Sequence, residues 1–151
     1  FKLENYEFDY KYSDLGFYLL KLVVEENSMV GIHDAVRPLA STKTITRCFE
    51  NAEEKGNATP IVPINDSIRN VKQERNAMVN REEYFIVQTP QVFQSKLIKA
   101  AFEQGYKDSF TDDASVLESA GGKINLVEGN FENIKITRPV DFKIAELFIG
   151  S

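Results

Sequence analysis

Among 151 residues the chain has one cysteine, one histidine and no tryptophan. With Cys48 alone, an intrachain disulfide is excluded, and the usage suits a reducing compartment. His33 has no second histidine and only one cysteine to join it, which excludes a zinc set. No apolar run approaches the roughly 18 residues of a membrane span, and no secretory signal opens the chain. The expectation is a cytoplasmic protein with no membrane partner. Positive charge is also short: 18 Lys and Arg stand against 23 Asp and Glu, a net −5. That balance argues against a surface built to neutralise a nucleic-acid backbone, so no nucleic acid is expected as a partner. There is no internal repeat, and no phosphate-cradling glycine loop either. Gly121-Gly122 follows a helical stretch and precedes a strand, the reverse of the order such a loop needs.

What is present fits one domain. Hydrophobic residues make up 42% and charged residues 27%, an ordinary globular mixture, and the length suffices to bury a core. The central stretch is Ser28-Met-Val-Gly-Ile-His-Asp-Ala-Val-Arg-Pro38. Met29 to Ile32 is an apolar run of strand length, and a run without alternation suggests burial on both faces. His33 and Asp34 end it. A carboxylate at the carboxyl end of such a strand can hold Mg²⁺ and, through the ion, phosphate oxygens. The plainer reading of Asp34 is a turn residue bonding its own backbone. His33 reads as a side chain that hydrogen-bonds locally rather than as a general base.

Residues 1 to 14 alternate loosely between aromatic and charged side chains, and Leu15 to Val24 suits a helix interrupted by Gly16. Ser41 or Thr42 caps a helix to about Lys55, with Gly56 as its stop. Ile45, Cys48, Phe49 and Ala52 form its apolar stripe, which makes Cys48 a core residue rather than a nucleophile. Thr59 to Ile64 reads as a strand. Arg69 to Glu83 is polar without a helical stripe and fits an exposed hairpin with Glu74 near its turn. At about 3.3 Å per residue such an arm reaches about 20 Å, and an isolated ribbon is marginal in water, so it needs something to pack on. Tyr84 to Val87 returns as a strand. Helices follow over Ser95 to Gln104 and just after Phe110 to Ser115, then short strands over Lys123 to Val127 and Asn133 to Ile136. A last helix starts at Thr137-Arg-Pro139, with Ile144, Leu147 and Phe148 expected to dock it on the core. Alternating strands and helices imply an α/β fold with a mainly parallel sheet.

Polar clusters sit just past several strands: Asp34 with Arg37, Asp66 with Ser67, Gln88 with Thr89, and Lys135 with Thr137. If they line one crevice, a carboxylate with hydroxyls and cations suits phosphoryl or nucleotidyl transfer, where the protein positions reactants and offsets charge. Lys135 and Arg81 are the cations available for phosphate; the bland alternative is solvated surface charge.

The strings GIHDAVRP, IVPINDSIR, YFIVQTPQVF, FTDDASVLE and VEGNFENIKITRPVDF, in this order, closely resemble the 2-C-methyl-D-erythritol 4-phosphate cytidylyltransferase family over roughly residues 28 to 148. The resemblance implies a Rossmann-like nucleotidyltransferase three-layer sandwich with a protruding β-arm at about 66–84. It also implies attack of the sugar phosphate on the α-phosphate of CTP, with Mg²⁺ assisting the departure of pyrophosphate, in the non-mevalonate isoprenoid pathway. On that likeness Asp34 binds metal and substrate, Ala35 lies beside the nucleotide, and Arg37 supports the site. Lys135 steadies the transition-state charge, and Thr89 and Thr111 lie near methylerythritol phosphate. Ser67 and Arg81 reach a neighbouring subunit's site, Ser67 in place of the family's usual threonine, so the arm joins a homodimer. The family's N-terminal glycine-rich loop has no counterpart here, and residues 1–20 match nothing in it. Phe1 is no initiator methionine. The chain therefore reads as one incomplete domain over 1–151, about the C-terminal two thirds of such an enzyme, and is expected to be inactive alone. A ribitol-5-phosphate cytidylyltransferase and a non-catalytic dimerisation or binding module of the same fold are the rival readings.

Overall fold

A computed structural model describes residues 24–72 and 75–150. The helix expected over Leu15 to Val24 and the hairpin turn at Glu74 lie outside the described residues, apart from Val24 itself.

Strand β1 (Met29–Ile32) leads into the Asp34 turn, and helix α1 (Thr42–Lys55) follows. The Ser41 hydroxyl accepts the Thr44 N–H at 3.1 Å, capping α1 as its sequence position implies. At the other end Gly56 takes φ 91°, a left-handed turn that donates its N–H to the Ala52 carbonyl. A Cβ there would stand 2.7 Å from Leu97 Cδ1, so both conformation and space favour glycine. Cys48 and Ala52 on the α1 stripe are fully buried, while Ile45 and Phe49 keep about a third of their surface. Burial pushes the Cys48 thiol up to about 11, which fits a core residue and not a nucleophile.

The main sheet has the order β1, β6 (Gln91–Gln94), β2 (Asn57–Pro63), β5 (Phe85–Val87), with β7 (Leu126–Glu128) beside β2. Here the expected mainly parallel arrangement needs correction for the described residues. β2 and β7 pair in parallel, but the β1–β6, β2–β6 and β2–β5 ladders are all antiparallel. The reason is connectivity. A parallel neighbour requires a long crossover, usually an α-helix, and no α-helix lies between β2 and β5 among the described residues, where the helical element is the single 3-10 turn Arg81–Glu83. The chain leaves β2, makes the arm of β3 (Arg69–Lys72) and β4 (Arg75–Met78), and returns antiparallel beside β2.

β5 and β6 face the same strand, end to end. Ala58 lies opposite Val92, whereas Ile61 lies opposite Val87. Three steps along β2 thus match five on the facing chain, so two extra residues are accommodated at Gln88–Thr89–Pro90. This is a β-bulge around a cis Thr89–Pro90 bond.

The core has two clusters. Phe93, Ile98, Ala101, Phe110, Val116 and Leu117 gather between β6, α2 (Ser95–Phe102) and α3 (Asp113–Ser119). Cys48, Ala52, Ala58, Val92 and Val127 fill the other face, under α1. The strand expected at Asn133 to Ile136 is irregular chain. The last helix, α4 (Pro139–Ile149), buries Ala145 only; Ile144, Phe148 and Leu147 are 38%, 40% and 73% exposed, against the docking expected of them.

Candidate active site

The Asp34 turn closes with the Arg37 N–H on the Asp34 carbonyl at 3.0 Å. Arg37 then folds back, its Nε donating to Asp34 Oδ2 at 3.1 Å. From the far end of the chain, Lys135 Nζ reaches the same oxygen at 3.2 Å. From the bulge, the Thr89 hydroxyl accepts the Asp34 N–H at 3.0 Å. Three segments remote in sequence therefore meet at Asp34, Lys135 on its carboxylate and Thr89 on its backbone N–H.

His33 bonds locally through one ring nitrogen, as its position suggested, and to the remote bulge through the other. Its Nε2 lies 2.9 Å from the Arg37 carbonyl, and its Nδ1 lies 2.9 Å from Thr89 Oγ1. A carbonyl only accepts, so Nε2 carries the proton, and in the neutral ring Nδ1 accepts from the Thr89 hydroxyl. The threonine is thereby fixed from two sides.

Arg37 is buried and engages each of its three guanidinium nitrogens: Nη1 to the Asn133 carbonyl at 2.8 Å and Nη2 to the Val87 carbonyl at 3.4 Å, besides Nε. It supports the site. Lys135 has half its side chain exposed and one partner that a phosphate could replace. Partial burial pushes the Asp34 carboxyl up, but hydrogen bonds and charge from Lys135 and Arg37 outweigh it and hold the group below the usual carboxylate value.

Both cations converge on Oδ2, which leaves Asp34 Oδ1 without a partner among the described residues. No group of three or more His, Cys, Asp or Glu that could cage a metal occurs among them. One free carboxylate oxygen fits Mg²⁺ in its common role, held by one or two carboxylates with the remaining ligands from phosphates and water.

A family model described as 2-C-methyl-D-erythritol 4-phosphate cytidylyltransferase matches residues 15–151. The chain belongs to this family. A cytidylyltransferase of that name from Phocaeicola vulgatus is 45% identical over 126 residues, covering 83% of this chain and 58% of its own length. One from Azobacteroides pseudotrichonymphae is 42% identical, covering 96% of this chain and 68% of that protein. The crystal structure of the Thermus thermophilus cytidylyltransferase superposes with TM-score 0.78 at 31% identity, covering 90% of this chain and 68% of that one. The chain thus spans somewhat more than half the length of several of the curated cytidylyltransferases it matches.

The remaining residues singled out by likeness to the cytidylyltransferases are not all drawn to Asp34. Ala35 is exposed in the turn beside it. Thr111 is exposed just before α3, its N–H on Ser115 Oγ at 3.0 Å. It is tied to the bulge indirectly: Gln91 Nε2 donates to Asp112 Oδ2 at 2.7 Å, and Gln91 Oε1 accepts the Ala114 N–H at 2.8 Å. Ser67 and Arg81 flank the arm and are exposed, with Arg81 Nη1 donating to the Asn65 carbonyl at 2.5 Å. No hydrogen bond or ion pair joins either to Asp34 among the described residues.

Sequence reasoning missed the amides beneath the site. Gln91 and Asn133 are 1% and 0% exposed, and Gln88, noted only as a polar neighbour of Thr89, is 3% exposed. The N-x-x-N spacing of Asn130 and Asn133 just before Lys135 was the available signal.

Proposed function

We propose that the protein carrying this chain transfers a cytidylyl group from CTP to 2-C-methyl-D-erythritol 4-phosphate. A 4-phosphate oxygen attacks the α-phosphorus, the bond to the bridging oxygen breaks, and pyrophosphate leaves with that electron pair. The observation that carries this reading is the meeting of Asp34, Lys135 and Thr89 from three segments, inside the stretch matched by the family model.

Lys135 gives up its contact with Asp34 to offset charge on the transferring phosphoryl group, where preorganised cations matter most. Asp34 is the carboxylate that would hold Mg²⁺, which supplies charge neutralisation on the phosphates. Its free Oδ1 supports that assignment. Thr89 and Thr111 contact the sugar phosphate, and Ala35 lies along the nucleotide.

The arm is the proposed contact of a homodimer, carrying Ser67 and Arg81 to the second copy's site. Every residue of β3 and β4 is exposed, Val71 by 68% and Met78 by 82%, which a two-stranded ribbon does not sustain comfortably alone. A buried free thiol accords with a cytoplasmic setting, and no helix among the described residues is long and apolar enough to cross a membrane.

The test is pyrophosphate release by the full-length protein with CTP and Mg²⁺, offered methylerythritol phosphate and ribitol 5-phosphate in parallel. Turnover with the first is expected, reduced about 10²- to 10³-fold in kcat by Lys135→Ala. Turnover with ribitol phosphate alone moves the protein to the sister activity. A folded dimer silent with both leaves a non-catalytic module.

A further inference from the structure

One buried residue, through its side chain and its backbone together, links the segments that meet at Asp34. Asn133 Nδ2 donates to the Thr89 carbonyl at 2.8 Å and to Gln88 Oε1 at 3.5 Å. Its own carbonyl accepts Arg37 Nη1 at 2.8 Å and Gln88 Nε2 at 3.3 Å, and its N–H donates to the Asn130 carbonyl at 3.1 Å. Two residues on comes Lys135, and the next N–H, of Ile136, donates to the Val36 carbonyl at 2.8 Å. The Lys135 backbone is therefore held on both sides, toward Asn133 and toward the Asp34 turn.

Gln88 completes the clamp. Its Nε2 also donates to the Asn130 carbonyl at 2.9 Å, and its Oε1 accepts the Asn130 N–H at 3.3 Å. The space for this amide exists because residue 129 is glycine: a Cβ there would stand 2.3 Å from Gln88 Oε1. Side-chain amides suit the task because each offers donors and an acceptor at fixed geometry; Gln88 uses both, whereas Asn133 uses its Nδ2 donors and its buried Oδ1 has no partner among the described residues. Irregular buried backbone, with no sheet ladder to satisfy it, needs such partners.

We propose that Asn133, backed by Gln88, is a positioning residue: it sets where the Thr89 hydroxyl and the Lys135 ammonium stand relative to Asp34, without touching substrate. The kinetic part rests on the cytidylyltransferase reading above; the structural part does not.

Two variants of the full-length protein test this. Asn133→Ala removes the side-chain bonds to the Thr89 carbonyl and Gln88 Oε1 while keeping the backbone ones, and Gly129→Ala displaces the Gln88 amide by a steric wedge while leaving Asn133 in place. The first should lower kcat about 10²-fold, the scale set by small misplacements of catalytic groups, with KM for CTP changed less. The second should lower it about tenfold, since the clamp is only loosened. In a Lys135→Ala background, Asn133→Ala should cost about tenfold or less instead of about 10²-fold, because one of the two groups it positions has gone. A residue that merely holds the fold would multiply its loss in full. Independently of turnover, amide exchange at Asp34 should accelerate about tenfold in Asn133→Ala as the Thr89 acceptor drifts, while Cys48 and Ala52 in α1 keep their protection.

Full multiplicativity, or unchanged Asp34 exchange in a folded variant, overturns the proposal. Should Asn133→Ala fail to fold, Gly129→Ala decides by the same readouts. If the unmodified protein releases no pyrophosphate, the functional reading falls and the exchange experiment alone decides the positioning role.

Discussion

The arm and the bulge are both polar in sequence, and they end in opposite surroundings. Arg69–Lys72 and Arg75–Met78 pair only with each other, and all their residues are exposed. Gln88, Gln91 and Asn133 are interior. Composition does not separate them; the fate of each donor and acceptor does. The arm's side chains have water, with Arg69 Nε on Asn76 Oδ1 across the ribbon as a local exception. The amides at the bulge replace ladder bonds that the irregular backbone of 88–90 and 129–135 cannot make, and a buried group left unmade would cost about 1–3 kcal/mol. Polar residues are thus tolerated in one region and required in the other.

That contrast can be broken most sharply at Arg37. Arg37→Ala strips one of the two cationic partners from Asp34, leaving Lys135, and removes the guanidinium donors from the Asn133 and Val87 carbonyls, of which the first keeps Gln88 Nε2, so a loss of about 2 kcal/mol is expected in urea unfolding. A loss under about 0.5 kcal/mol, the scale of a surface substitution, would mean that the clamp is no more a part of the interior than the arm is.

A smaller effect belongs to Asp34 itself. Its folded pKa lies below the unfolded value near 3.8, so its contribution is fully present above that value and is lost as pH falls through the folded one. With Lys135 half exposed, solvent screening holds the contribution to under about 1 kcal/mol. Urea midpoints of wild type and Asp34→Asn should differ at neutral pH and converge in acid. A gap that widened in acid would reverse the sign assigned here.

The smallest effect on folding is expected in the arm. Val71→Asp with Met78→Asp should leave monomer stability within about 0.5 kcal/mol, while sedimentation shifts from dimer to monomer. An unchanged sedimentation coefficient would detach the arm from self-association.

Much of this architecture is legible in the amino-acid order alone. The α1 stripe, its Ser41 cap and its Gly56 stop carry their own chemistry, and so does the hairpin. Strand direction was readable too, had the polar hairpin read between β2 and β5, in place of a crossover helix, been weighed. The last helix was not. Val140, Phe142, Ile144, Ala145, Leu147, Phe148 and Ile149 are apolar on nearly every side, so the sequence prefers no face, and the structure buries Ala145 alone. Nor did Asn133 announce itself, because an asparagine that satisfies remote backbone looks like one in a surface loop until the chain has closed around it. Asp34, Thr89 and Lys135 stood out as polar residues near strand ends and through the likeness to the cytidylyltransferases, but their meeting rests on the bulge, whose two extra residues follow from pairing rather than from local composition.

Gly129 and Gln88 form, in effect, a single heritable unit. Forty-one positions separate them on the chain, yet the space one leaves empty is what the other fills. A lineage could acquire a side chain at 129 without harm only after position 88 had shortened. The reverse order passes through a displaced amide, a loosened Thr89 and a misplaced Lys135. The order of mutations, and not only their identity, would decide which descendants of this site survive.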